Sequence, residues 1–161
     1  MAQNRTKTDL LLKLLDQAYD RRSWHGPNLR GSLRGITARQ AIWRPGRGRH
    51  SIWELALHAA YWKYVVLRRL RNQKRGSFPM RGSNWFARRA VPDERAWRAD
   101  LHLLEETHRS LRAAVAVLDD RSLELQATGL LDVLIGVAAH DLYHAGQIQL
   151  IKRMHQRRSR R

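Results

Sequence analysis

Cysteine is absent from the 161 residues, so the chain can form no disulfide and hold no metal through thiolate. Any transition-metal site must therefore be built from His, Asp and Glu. Long apolar runs are missing too. The first of any length, Leu10 to Leu12, is cut short by Lys13, and no stretch of 18 apolar residues occurs. That pattern fits neither a signal peptide nor a membrane anchor, and a soluble cytoplasmic protein is expected. Acidic residues are scarce, 14 against 31 Lys and Arg, which leaves a formal charge of +17. A charge of that size attracts nucleic acid or anionic headgroups at low salt. The cations gather in residues 68–75 and in a basic tail over 152–161, both where helices are expected to end, and there they complement the helix dipole. Nucleic-acid binding through this surface is the secondary reading. At this length the chain is expected to be one domain, 1–161, able to bury about two-thirds of its unfolded surface.

Hydrophobic spacing predicts four long helices. The first starts near Thr8 and runs through Leu11, Leu12, Leu15, Ala18 and Tyr19 to about Arg22. Gly26-Pro27 then marks an ordered turn, and an Arg-rich polar stretch follows to Gly35. Thr37 with Gln40 forms a capping-box pattern for a single turn ending near Trp43. Ser51 with Glu54 repeats that pattern and opens a second helix expected to reach Lys74. Gly76, Pro79, Gly82 and Pro92 make the next segment an ordered connection. Asp93 and Glu94 open a third helix with Leu101, Leu104, His108, Leu111 and Val115 on one side. Asp119 to Arg121 interrupts it, and a fourth helix runs from Thr128 or Gly129 to about His155. The expected fold is all-α, a four-helix bundle with long ordered loops after the first two helices. About nine residues join the third and fourth helices, too few to traverse one, whereas the 17 or so after the second permit a parallel pair. An up-down-down-up arrangement is expected.

His140 and His144 are four residues apart, the spacing by which one helix offers two imidazoles to one metal ion. They share a stripe with Val133, Val137, Ile148 and Ile151, so both should point inward. A buried imidazole needs partners for both ring nitrogens, and a shared cation would satisfy two stacked on one face. His58 lies on or beside the apolar face of the second helix. With the second and fourth helices antiparallel, it falls close to the other two.

Ser51-Ile52-Trp53-Glu54-Leu55 with His58, and His140-Asp141-Leu142-Tyr143-His144-Ala145-Gly146-Gln147-Ile148 downstream, resemble the DinB-like (DinB/YfiT) superfamily of metal-binding four-helix bundles. The Trp24 to Pro27 turn and the Pro45 to Trp53 approach look like one of its bacterial subgroups. The resemblance implies a divalent metal, zinc or nickel, held by His58, His140 and His144, and it implies homodimers. It also implies metal-dependent enzymes, among them thiol-dependent transferases and isomerases, so a low-molecular-weight thiol is a candidate cofactor. Independently of the family, three neutral imidazoles on such an ion leave a coordination position for water or a thiol, a site of catalytic type for hydrolysis or thiol transfer. The alternative is a noncatalytic basic module, stabilised by metal, that binds nucleic acid.

Weaker candidates surround the triad. His25 and His50 flank the loop before the second helix and could reach the mouth of the site as a fourth ligand or proton shuttle. Gln147, one turn past His144, could bond a water at the metal or a neighbouring backbone. Glu54 could orient His58, although capping alone explains it. Asp141 is expected at the surface or an interface. The six tryptophans, at 24, 43, 53, 62, 85 and 97, read as core and lid packing, and His102, His108 and His155 as structural or exposed.

Overall fold

The computed structural model describes residues 5–74, 76, 78–87, 91–125 and 129–158, and among these the regular structure is entirely helical. Seven helices follow one another: α1 (Thr6–Tyr19), α2 (Leu29–Leu33), α3 (Ala38–Ile42), α4 (Ile52–Leu70), α5 (Glu94–Ala116), α6 (Asp120–Leu125) and α7 (Leu130–Arg158). The four expected long helices are α1, α4, α5 and α7. Among the described residues no helix is long and apolar enough to cross a membrane.

The helix starts follow the side chains that satisfy their free amides. Ser51 accepts from the Glu54 amide while Glu54 Oε2 accepts from the Ser51 amide at 2.9 Å, and Thr37 and Gln40 do the same for α3. Asp93 caps α5 through Ala96 N. At the first helix the expectation fails. Thr6 opens α1 with no cap from the preceding Arg5; the Asp120 carboxylate accepts from the Lys7 and Thr8 amides, and the buried Thr8 hydroxyl donates to Leu118 O. The helix stops at Tyr19, three residues short of Arg22.

Two short helices depart from the reading. Leu29 to Leu33, inside the Arg-rich stretch taken as irregular, forms α2 because Asn28 Oδ1 caps Gly31 N and Leu29 and Leu33 are buried. Arg30 within it and Arg34 just past its end are exposed. In the same way α6 occupies the interruption after α5, with Asp119 accepting from Ser122 N at 2.7 Å. The second helix ends at Leu70, followed by Asn72 with φ of 51°, a left-handed residue that Asn tolerates. The fourth begins at Leu130; Thr128 lies outside the described residues.

Contacts fix how the long helices meet. α4 packs against α5 and α7, and α1 packs against α5 and α7. Asp16 on α1 pairs with Arg112 on α5, and Arg5 at the start of α1 donates to Ala116 O at the end of α5, so these two run in opposite directions. Trp53 and Trp97, near the starts of α4 and α5, pack with ring centroids 5.1 Å apart. Every residue from 51 to 60 is buried, which requires neighbours on all sides of that half of α4. Two apolar clusters result, one around Ile52, Trp53, Leu57, Trp97 and Leu104, the other around Leu11, Leu15, Val66, Leu111 and Leu134.

Between them lies an ion pair, and its acid, Asp141, departs from the surface or interface position expected of it. Asp141 is fully buried and accepts from Lys63 Nζ, which is fully buried as well. Burial pushes the Asp141 carboxyl up, and the Lys63 ammonium opposes it. Lys63 also sits 5.2 Å from the centre of the Tyr19 ring. Tyr19 in turn stacks on His108 at 3.8 Å, and His108 is buried. Of the tryptophans, Trp53 and Trp97 are core and bond Asp100 and Ile36 O; Trp24 is fully exposed, contrary to the packing role expected of it.

Candidate metal centre

His58 on α4 and His140 and His144 on α7 come together as the spacing predicts. His140 Nε2 lies 3.1 Å from His58 Nε2 and 2.9 Å from His144 Nε2. Nitrogens sharing a tetrahedral ion at 2.0–2.1 Å stand about 3.3 Å apart, so the three could close on one ion with small adjustment. His58 and His144 are buried and His140 is half-buried.

The ring nitrogens facing away decide which tautomers are present. His58 Nδ1 donates to Asn84 O at 2.8 Å, and His144 Nδ1 donates to Gln147 Oε1 at 2.7 Å. Both bonds leave Nε2 unprotonated and aimed at the third imidazole. His140 has at most one proton on its Nε2 to share between two lone pairs. Protonating the others is opposed by burial: burial, then the neighbouring His144 and His58, brings His140 to about 3, and burial brings His144 to about 4 against the Gln147 bond. Burial lowers His58 too, against the Asn84 bond. Three lone pairs converging where protons are disfavoured fit a divalent cation. Nδ1 of His140 is buried and faces no acceptor among the described residues.

The loop after α4 supplies what periodicity could not show. Asn84 adopts φ of 65°, turns its carbonyl onto His58, and accepts from Trp62 Nε1 through its side chain at 3.0 Å. Trp85 stacks on His58 at 3.8 Å and, on its other face, on His50 at 3.6 Å. His50 is therefore separated from the triad by an indole and is no fourth ligand. Nor is His25, which is exposed in the turn before α2. Glu54 caps α4 and binds Arg44 at 2.5 Å. Gln147 reaches the site, orienting His144.

Beside the triad a cavity of about 450 Å³ opens between α4 and α7, walled by Trp62, Val65, Val66, Val133 and Val137 with Arg69 and Asn84 at its edges. A second group, Asp16, Asp20 and His108, also has donor atoms within 4.8 Å of one another. Arg112 holds Asp16 with two bonds and Arg30 lies 3.7 Å from Asp20, so its charge is already balanced.

No curated protein and no solved structure matches the chain. The family model of the DinB superfamily matches residues 21–148, a span that contains α4, the connecting loop, all three histidines and Gln147. With four-fifths of its length inside that match, the chain belongs to the DinB superfamily.

Proposed function

We propose that His58, His140 and His144 hold one divalent metal ion, zinc or nickel, at the centre of a metal-dependent enzyme acting by hydrolysis or thiol transfer. The observation that carries this is the convergence of three Nε2 atoms, two of them fixed as unprotonated by bonds at Nδ1. When bound, such an ion supplies Lewis-acid chemistry, polarising a water or thiol so that it ionises near neutral pH. The chain's own groups do the rest. Asn84 O and Gln147 Oε1 hold two imidazoles in register, Trp85 covers His58, and the valine walls make the adjoining space apolar. Because the chain has no cysteine, a reacting thiol comes from a low-molecular-weight cofactor or the substrate.

The contacts among α1, α4, α5 and α7 support an up-down-down-up four-helix bundle in a single domain over 1–161. A homodimer is supported by the exposed apolar stripe Ile135, Tyr143, Leu150 and Met154 along α7. We place the protein in the cytoplasm. A second reading, a noncatalytic module binding nucleic acid through its basic surface, is favoured only by the charge of +17.

The test is the metal content of chain purified without a histidine tag, beside the His58→Ala/His140→Ala/His144→Ala variant. About one equivalent in the wild type and almost none in the folded variant is expected. No metal, and no uptake of added Zn²⁺ or Ni²⁺, overturns the reading.

A further inference from the structure

The cavity beside the triad says more about what enters it. Its walls are apolar, and of the described residues that line it only Arg69 carries a fixed charge. Arg69 forms no ion pair or side-chain hydrogen bond with any described residue. No carboxylate lines the cavity to neutralise it.

Gly136, also on its wall, is equally informative. It lies within α7, where glycine costs roughly 1 kcal/mol relative to alanine. Its φ is not left-handed, and a Cβ built there meets nothing within 4 Å. Packing and backbone conformation therefore give no reason for the missing side chain. What a side chain at 136 would fill is the cavity, one turn from His140. Gly146 on the same helix also meets nothing, but it sits beside the outer stripe of Tyr143 and Leu150 and does not line this cavity.

We infer that this cavity binds an amphipathic anion: an apolar body between the Trp62 and valine walls, past Gly136, with a carboxylate or other anionic end on Arg69. The volume, about 450 Å³, lies within the roughly 300–1,000 Å³ of small-molecule sites. Arg69 follows His58 by 11 positions, about 16 Å along the α4 axis, and helical side chains lean toward the N-terminus, so its guanidinium tilts toward the triad. The anionic end is thus held away from the histidines, and the opposite end of the ligand is presented to them. The inference rests on the metal reading only for its catalytic meaning, since binding itself needs no ion.

The experiment titrates octanoate, and octan-1-ol as its neutral counterpart, into the full metal-free chain by calorimetry, with metal uptake measured on the same samples. Arg69→Gln is expected to weaken octanoate about tenfold and leave octan-1-ol unchanged, as the loss of one charge-assisted bond requires. Gly136→Leu is expected to abolish both while the chain takes up Zn²⁺ as before and melts no lower than the wild type. Should Gly136→Leu unfold the chain, Gly136→Ala takes its place, with weaker binding of both ligands expected. Octanoate that fails to bind, or binds with unchanged affinity in the Arg69 and Gly136 variants, overturns the inference. Failure of metal uptake with this ligand pattern intact overturns the metal reading alone.

Discussion

Replacing Asp141 by leucine removes one half of a fully buried ion pair and leaves the Lys63 ammonium without its counter-ion. Keeping that charge costs several kcal/mol of desolvation, so the cheaper course is to release the proton. From an ordinary pKa near 10.4, neutralising a lysine at pH 7 costs about 4.6 kcal/mol. A neutral amine has no cation–π attraction to the Tyr19 ring, 5.2 Å from Nζ, so that contact gives no relief. A loss of about 4.6 kcal/mol at pH 7 is therefore expected for Asp141→Leu, within the 3–5 kcal/mol typical of a broken buried pair. The pH dependence makes the argument specific. In the variant, the folded pKa of Lys63 falls below its unfolded value, so the unfolded chain binds more protons and stability rises with pH. The deficit should shrink by about 1.4 kcal/mol per unit between pH 7 and 9. Urea denaturation of the metal-free wild type, Asp141→Leu and Lys63→Met/Asp141→Leu at pH 7, 8 and 9 reads both quantities. The double variant, with no buried charge left, should recover most of the loss and show no such slope. A single-variant loss under 1 kcal/mol that stays flat with pH would refute the reasoning.

Burial, with Lys63 and Arg112 nearby, holds the His108 imidazole far below its usual range, so its neutral form belongs to the fold. Its contribution is complete above pH 6.5 and declines below it, by about 1.4 kcal/mol at pH 5.5 and 2.7 at pH 4.5, and His108→Gln should flatten that part of the acid limb in urea titrations. Gln147→Leu removes the acceptor for His144 Nδ1 and is expected to weaken Zn²⁺ binding 10–100-fold in a chelator competition, with Gln147→Glu restoring it. Ser51→Ala breaks the capping box of α4 and should cost about 1 kcal/mol by the same denaturation assay, with no change in metal stoichiometry.

The triad was legible because helices impose a period: His140 and His144 share a face by spacing alone, and connection lengths brought His58 to them. The capping boxes at Thr37 and Ser51 were equally plain, each being a contact between residues three apart. What escaped was long-range or aperiodic. Lys63 and Asp141 are 78 positions apart, and each alone looks like a surface charge; only the fold makes them one buried unit. Asn84 and Trp85 lie in a segment rich in turn residues, where no repeat indicates that a carbonyl will land on His58. Leu29 and Leu33 were masked by the arginines between and after them, although Asn28 three residues before Gly31 was a usable capping signal.

The bond from His58 to Asn84 ends on the main chain, not on a side chain. No exchange of one residue for another deletes that acceptor; it moves only if the loop changes length or residue 84 leaves its left-handed conformation, which glycine as well as asparagine can hold. The proton on His58 is thus encoded in the path of the backbone, not in the side chain at position 84.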